Sequence, residues 1–228
     1  MKEAIVLLSG GLDSSTMLAM AKAQGYDVTA LTFDYGQKHR RELQSAKKVA
    51  KSIGVKEHIV MSLDLGQLLQ SSLTQKGMGI PRRRSKREIC DGIPDTYVPS
   101  RNIIFLSIAS SIAESRGADA VFIAANAVDF SGYPDCTPEF ILAFQRVLEV
   151  GTKAGKEGKP IVVEAPLLSK TKADIVREAV KLKVPLKLTW SCYEGGEKAC
   201  GECDSCQLRL RGFSEAGLED PIEYEVRR

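Results

Sequence analysis

The sequence predicts an α/β fold: a doubly wound, mostly parallel sheet with a four-cysteine segment near its C-terminus. Three observations predict it. Strand-like and helix-like apolar patterns alternate along most of the chain, the mark of successive βαβ units. The first apolar run, Ala4 to Leu8, passes directly into a two-glycine turn and a helix pattern. Four of the six cysteines crowd into the C-terminal part, as metal ligands do and as a disulfide framework in a chain of this size does not. With 228 residues, 43% of them apolar, the chain suits one full core. A net charge of +3, from 32 basic and 29 acidic residues, is too small for a surface that binds nucleic acid throughout. No apolar run approaches the roughly 18–20 residues that span a bilayer, and the chain enters a strand at once, so a cytoplasmic protein without a membrane partner is expected.

The elements follow in order. A buried strand over 4–8 leads through the turn to a helix over 16–22, and Gly25 breaks the period before a second strand over 28–33. Residues 39–53 form a helix with Leu43, Ala46, Val49, Ala50 and Ile53 on one face, ended by Gly54. A short strand over 58–62 contains His58, expected to be structural. The stretch 75–95 has no apolar period. It holds glycines, prolines and the basic residues Arg82, Arg83, Arg84, Lys86 and Arg87, and reads as a long solvated loop or one that attracts polyanions. A helix over 103–116, a strand over 120–125 and a helix opened by Pro138 come next. A strand over 161–164 precedes a helix whose start, Thr171 with Asp174 three residues on, reads as a capping box.

Residues Ser9-Gly10-Gly11-Leu12-Asp13-Ser14-Ser15 carry the chemistry. Between a strand and a helix, glycines permit a tight turn, and the amides of the first helical turn face an anion. The Walker A loop requires a Lys-Ser/Thr pair that is missing here. The stretch resembles instead the Ser-Gly-Gly-x-Asp-Ser loop of enzymes that split ATP into AMP and pyrophosphate, in an adenine nucleotide alpha hydrolase-like, Rossmann-like fold. Cys192, Cys200, Cys203 and Cys206 have the spacing of one closed four-sulfur site, suited to structural Zn²⁺, with an iron–sulfur cluster as the rival. Cys90 and Cys136 stand outside it, Cys90 as an idle or buried thiol.

With loop and cysteines placed, nearly the whole chain resembles the 7-cyano-7-deazaguanine synthase family. The blocks that carry the resemblance are Phe33-Asp34-Tyr35-Gly36-Gln37-Lys38-His39, Asp91-Gly92-Ile93-Pro94 with Tyr97-Val98-Pro99, Asp129-Phe130-Ser131-Gly132-Tyr133-Pro134-Asp135-Cys136, and Thr189-Trp190-Ser191-Cys192-Tyr193. The resemblance implies conversion of 7-carboxy-7-deazaguanine, ammonia and ATP to the nitrile, with Mg²⁺, one Zn²⁺ per chain and a homodimer. It implies an ATP-binding stretch of Leu8, Ser9, Gly10, Gly11, Leu12, Asp13, Ser14, Ser15, Thr16, Met17 and Leu18. Ser9, Ser14 and Ser15 would meet phosphate, Asp13 would orient the loop or Mg²⁺, and Leu8, Leu12, Thr16, Met17 and Leu18 would frame it. Arg101 and Lys172 are candidate cations for pyrophosphate or substrate carboxylate, each against a plain surface charge. Asp129, Asp135 and Arg101 are candidate substrate contacts, the two aspartates against loop caps. Lys38 and His39 belong near the nucleotide or at a helix start. Residues 1–188 would form the nucleotide-binding domain, with its basic loop at 75–95, and residues 189–217 a zinc-binding segment packed on it. The length leaves no room for a glutaminase domain, so free ammonia is the expected nitrogen source. The chain departs from the family at Thr137, where many relatives carry Arg, and in the basicity of 82–87. An altered substrate, such as a 7-deazaguanine in nucleic acid, stays open on that account. Rival readings are a tRNA-modifying sulfur transferase using the same loop, which would need a catalytic cysteine pair, and a non-enzymatic zinc knuckle that binds nucleic acid.

Overall fold

Strand β1 (Glu3–Leu7) runs through the middle of the sheet, with four of its five residues buried. In this computed structural model the described residues are 2–226, apart from 39, 66–68, 70, 76–77, 86–87, 90–91 and 127–131. Helix α1 (Leu12–Ala23) follows, then β2 (Asp27–Asp34), α2 (Arg41–Ile53) and β3 (Glu57–Ser62). After the long loop come α3 (Arg101–Arg116), β4 (Ala120–Phe122), a 3-10 turn at Pro134–Cys136, α4 (Pro138–Gly151) and the single-turn α5 (Lys153–Lys156). The chain closes with β5 (Val162–Glu164), α6 (Lys172–Lys181), a 3-10 turn at Leu186–Leu188 and α7 (Asp204–Glu215). The five strands lie in the order β3-β2-β1-β4-β5, every neighbouring pair parallel.

Alternation along the strands explains the two layers. Val6, Val28 and Phe122 join Leu18, Val49 and Ile175 of the flanking helices in one cluster, whereas Ile5, Leu31 and Val121 join Leu106, Ala109 and Phe144 in another. A strand buried on both faces must be apolar throughout, which is why β1 reads as an unbroken hydrophobic run. Each such side chain, taken fully from water, stabilises the fold by about 1.5–3 kcal/mol. The strand order reverses between β1 and its neighbours β2 and β4, so the turn after β1 lies at a topological switch point, where doubly wound sheets bind ligands.

Several expectations shift by a few residues. Helix α1 begins at Leu12, not at 16, because Gly11 already has the extended conformation of a cap. Strand β4 stops at Phe122; Ile123 still donates to Glu164 O at 2.9 Å, and the chain then turns along the site. The capping box at α6 is present in both directions. Thr137, the departure from the family pattern, caps α4: its Oγ1 accepts from Phe140 N at 3.1 Å. His58 is structural as expected, its Nε2 2.8 Å from Thr32 Oγ1 across β2 and β3. Among the described residues no helix is long and apolar enough to cross a membrane.

Candidate active site

A cavity of about 300 Å³ opens at the switch point, walled by the turn after β1, the end of β2, the starts of α2 and α3, Lys172, and the 190–193 segment with α7. The turn is tied internally: Ser9 N donates to Ser14 Oγ at 3.2 Å, and the two hydroxyl oxygens are 3.0 Å apart. No side chain caps the amino end of α1, so its first amides, which lack intrahelical acceptors, face the cavity with the positive end of the helix dipole. Ser9, Gly11, Leu12, Asp13 and Ser14 line the space, as does Leu8. Gly10, Ser15, Thr16, Met17 and Leu18 do not; Ser15, Thr16, Met17 and Leu18 are fully buried behind the turn. Thr16 closes on its own helix, donating to Leu12 O at 2.8 Å. A phosphate contact from the Ser15 hydroxyl is therefore corrected: that oxygen is buried and without a partner.

Gly10 serves packing more than ligand approach. It sits at φ +84, and a Cβ there would lie 2.4 Å from Ala46 N and 2.6 Å from Glu42 O. Its bareness lets the first turns of α2 press against the loop, which brings Glu42 into the cavity wall. Glu42 was not singled out in the sequence, where it reads as an ordinary first-turn acid on an amphipathic helix. Burial pushes its carboxyl up to about 7, against the opposing pull of Arg101 and a hydrogen bond from Gln37.

Two cations converge from other elements. The capping box sets Lys172 at the first position of α6, and its Nζ lies 2.6 Å from Asp13 Oδ2. Gly212 of α7 leaves room for that lysine, since a Cβ there would come 2.4 Å from Lys172 Cγ. Arg101, at the start of α3, reaches Tyr35 Oη at 3.5 Å, with its guanidinium 5.9 Å from the ring centroid. Both cations line the cavity and so are not plain surface charges. Tyr133 faces it too, its hydroxyl 2.7 Å from Thr96 Oγ1 and its pKa pushed up to about 12 by burial.

Asp135 does not reach the site. Only 4% exposed, it accepts from Asn102 N at 3.0 Å, and Asn102 Nδ2 donates back to Asp135 O at 3.1 Å. It caps α3 and so positions Arg101 next to it, which corrects its assignment as a substrate contact. Its neighbour Cys136 lines the cavity instead. Asp129 lies outside the described residues, as do His39 and Cys90. Lys38 points away and donates to Met78 O.

The cysteines form the second half of the site's frame. The sulfurs of Cys192, Cys200, Cys203 and Cys206 all lie within 4.8 Å of one another, and all four residues are buried. Backbone amides of Glu194 and Cys200 donate to Cys192 Sγ at 3.4 Å, and those of Glu202 and Cys203 donate to Cys200 Sγ at 3.4 and 3.3 Å. Amides aimed at sulfur favour thiolates, the form that binds a metal. Four bonds of ~2.3 Å in a tetrahedron place sulfurs about 3.8 Å apart, and Cys200 Sγ and Cys206 Sγ are separated by 3.9 Å. The residues fit one metal ion. Trp190 couples this knuckle to the loop: its backbone N donates to Gly10 O at 2.8 Å, its Nε1 donates to Cys192 O at 2.9 Å, and Arg41 stacks 3.9 Å from its ring centroid. The knuckle also recruits residues beyond 217, since Ala199 pairs with Tyr224.

The basic loop is neither free nor aimed at a polyanion in its described part. Arg82 pairs with Glu194 at 2.7 Å, Arg83 with Glu202 at 2.7 Å, and Arg84 Nε with the fully buried Asp204 at 3.1 Å. Arg82 and Cys203 form an antiparallel bridge. The described part of the run straps 82–84 to the knuckle, with the Arg82 and Arg83 side chains still half or more exposed. Lys86 and Arg87 lie outside the described residues. Sequence reasoning also missed Arg209, which lines the cavity from α7 and is fixed by Asp220 at 2.7 Å and Thr189 Oγ1 at 2.8 Å, all three buried. An arginine in a charged helix gives no sign of such a role before its face is known.

Comparison with known proteins places this geometry. The family described as "Queuosine biosynthesis protein QueC" matches residues 3–217. A 7-cyano-7-deazaguanine synthase of Acetivibrio thermocellus is 53% identical over 227 residues, 100% of each chain. One of Thermoplasma acidophilum is 55% identical over 224 residues, 98% of this chain and 92% of that one. Among solved structures, NMN synthetase from Francisella tularensis superposes with a TM-score of 0.50 at 14% identity, over 96% of this chain and 78% of that chain, a likeness of fold alone. The architecture is the adenine nucleotide alpha hydrolase-like one, and the chain is an enzyme that belongs to the QueC family of queuosine biosynthesis proteins.

Proposed function

We propose that this chain is an ATP-dependent carbon–nitrogen ligase that converts 7-carboxy-7-deazaguanine and ammonia to 7-cyano-7-deazaguanine. The observation that carries the reading is the near full-length identity, 53% and 55%, to relatives of that name, on a cavity whose mouth is an uncapped helix terminus. A carboxylate resists substitution because its leaving group would be oxide. Transfer of AMP to it gives a mixed anhydride that ammonia opens to the amide; a second adenylation, on the amide oxygen, lets that oxygen leave as AMP while the nitrile forms.

On this reading the amides of Leu12, Asp13 and Ser14 and the hydroxyls of Ser9 and Ser14 bind phosphate. Lys172 and Arg101 neutralise pyrophosphate or the substrate carboxylate. Leu8 and Leu12 touch the nucleotide, with Gly10, Thr16, Met17 and Leu18 as the frame behind them. Asp13 sets Lys172 in place and is the loop carboxylate that would hold Mg²⁺, whose role when bound is to neutralise the departing pyrophosphate. Cys192, Cys200, Cys203 and Cys206 hold one Zn²⁺ as structural ligands. An iron–sulfur cluster, whose thiolates sit on separate irons, would spread the sulfurs wider than 4.8 Å. We read 1–188 as the nucleotide-binding domain and the segment from 189 as a knuckle packed on it, in a cytoplasmic homodimer.

Among the described residues Cys136 is the one cysteine outside the cluster, so they offer the sulfur-transferase reading no cysteine pair. The nucleic-acid-binding knuckle loses the described arginines of its basic run to acidic partners. Incubation with ATP, ammonium and 7-carboxy-7-deazaguanine, followed by mass spectrometry, should show amide, nitrile and AMP. Asp13→Ala is expected to lower turnover by about 100-fold or more; full activity in that variant overturns the site assignment. Metal analysis should find one zinc per chain, and light scattering a dimer.

A further inference from the structure

Among the described residues two carboxylates line the cavity, and they are set up differently. Asp13 is closed by Lys172 at 2.6 Å. Glu42 sits on the wall formed by the first turn of α2, held against the loop by the bareness of Gly10. Among the described residues no cation closes an ion pair on it; Gln37 donates a hydrogen bond to its side chain. A half-buried carboxylate that faces the reaction space, oriented by an amide and, among the described residues, closed by no salt bridge, is built to take up and release a proton.

We propose that Glu42 is the base that removes protons from the substrate nitrogen. The inference rests on the nitrile synthesis proposed above. That chemistry strips three protons from ammonia, one at a time. When ammonia attacks the acyl adenylate, a C–N bond forms, the C–O bond to AMP breaks, and the new ammonium nitrogen must lose one proton to become the amide. When the amide oxygen is adenylated, pyrophosphate leaves and the nitrogen loses a second proton, giving the imidate. When that C–O bond breaks, the third N–H proton departs as the C≡N bond completes and AMP leaves. Glu42 accepts each proton in turn and passes it to solvent through the cavity mouth. Asp13 is less suited, because protonation would break its pair with Lys172.

The groups around Glu42 agree with that role. Arg101 of α3 and Gln37 of the preceding loop favour its charged form, and the Tyr35 hydroxyl faces it from the end of β2. The Asp13–Lys172 pair, Tyr133, Cys136, Tyr193 and Arg209 are the other titratable or charged groups among the described residues of the wall. Burial outweighs Arg101 and Gln37 and sets the carboxyl at about 7, close to the working pH, where a base is most effective. Because the value is raised, the group is protonated and inactive on the acid side and becomes competent as pH rises through about 7.

The test uses the full-length enzyme and Glu42→Gln, which keeps the size and a hydrogen bond to Gln37. Two readings are taken: ATP–pyrophosphate exchange with 7-carboxy-7-deazaguanine in the absence of ammonia, and nitrile formation from pH 6 to 9 with free ammonia held constant. Glu42→Gln is expected to exchange pyrophosphate within about threefold of the parent, to make nitrile about 100-fold more slowly at pH 8, and to lose the rise in kcat centred near pH 7. The proposal fails if the variant keeps the parental nitrile rate and pH limb. It fails equally if exchange and nitrile formation drop by the same factor, since that marks a structural or nucleotide-positioning role. Absence of exchange in the unsubstituted enzyme is a separate outcome: it removes the adenylation chemistry itself, and with it the need for this base.

Discussion

The loop wall of the cavity stands on Leu8, Leu12, Met17 and Leu18, each at most 2% exposed within the sheet's main core, whereas the facing wall stands on sulfur and charge. Around that second wall the apolar cluster is small, Trp190, Ala199 and Ile222 with the four cysteines, and the rest of its order comes from Arg82, Arg83 and Arg84 against acids of the knuckle and from Arg209 against Asp220. One wall folds because water expels it; the other depends on neutralised charge and on the metal proposed above for its four sulfurs. A site made from both can lose half its geometry without losing the sheet.

The largest test of that difference is removal of a sulfur. Cys203→Ser should lose the proposed zinc and lower Tm by about 10 °C or more. The parental strand signal in circular dichroism should persist below that transition. Unchanged zinc stoichiometry would contradict the knuckle, and loss of all ordered structure would contradict the independence of the loop wall.

Gly10→Ala attacks the other wall through sterics. The new methyl would strike α2 backbone atoms at 2.4 and 2.6 Å in a left-handed conformation, at a cost of about 3 kcal/mol. Denaturant unfolding measures it, and a loss below about 1 kcal/mol would mean that α2 can withdraw. Arg84→Ala comes next, at about 3 kcal/mol, because it strands the buried Asp204 carboxylate. Arg82→Ala, half exposed, should cost below about 1 kcal/mol. Equal effects from the two arginines would remove the distinction between a buried strap and surface pairing.

The smallest effect concerns the helix that carries Lys172. Hydrogen bonds from the Thr171 side chain and backbone hold the Asp174 carboxyl below its usual value. A depressed carboxyl stabilises the fold above its unfolded value, and that contribution is lost as pH falls through the folded one. Protection from hydrogen exchange in the first turn of α6, corrected for the intrinsic pH dependence of exchange, should therefore fall below about pH 4, and Asp174→Asn should remove the dependence. The same acid sensitivity in the variant would trace it elsewhere.

Much of the fold was legible because its signals are local. An unbroken apolar strand, a Thr171–Asp174 box and a two-glycine turn each act within a few residues of themselves. Asp135 shows where local reading stops. In sequence it neighbours residues of the cavity wall and looks equally placed to touch a ligand; in space its carboxylate is occupied by the Asn102 amide. Glu42 shows the converse, an ordinary helical acid until Gly10 allows α2 to approach. The basic run misled for the same reason, since its acidic partners lie more than a hundred positions away.

What the chain determined by itself was the parallel sheet, the two-glycine turn and the four-sulfur cluster, because periodicity, glycine conformation and ligand spacing are written over short distances. What only the tertiary structure decided was which charges meet: Asp13 with Lys172, Arg84 with Asp204, Arg209 with Asp220, and Glu42 with no salt-bridge partner among the described residues. The reason is physical. The strength and even the role of a charge depend on burial and on its partner, and neither exists until distant segments are packed together.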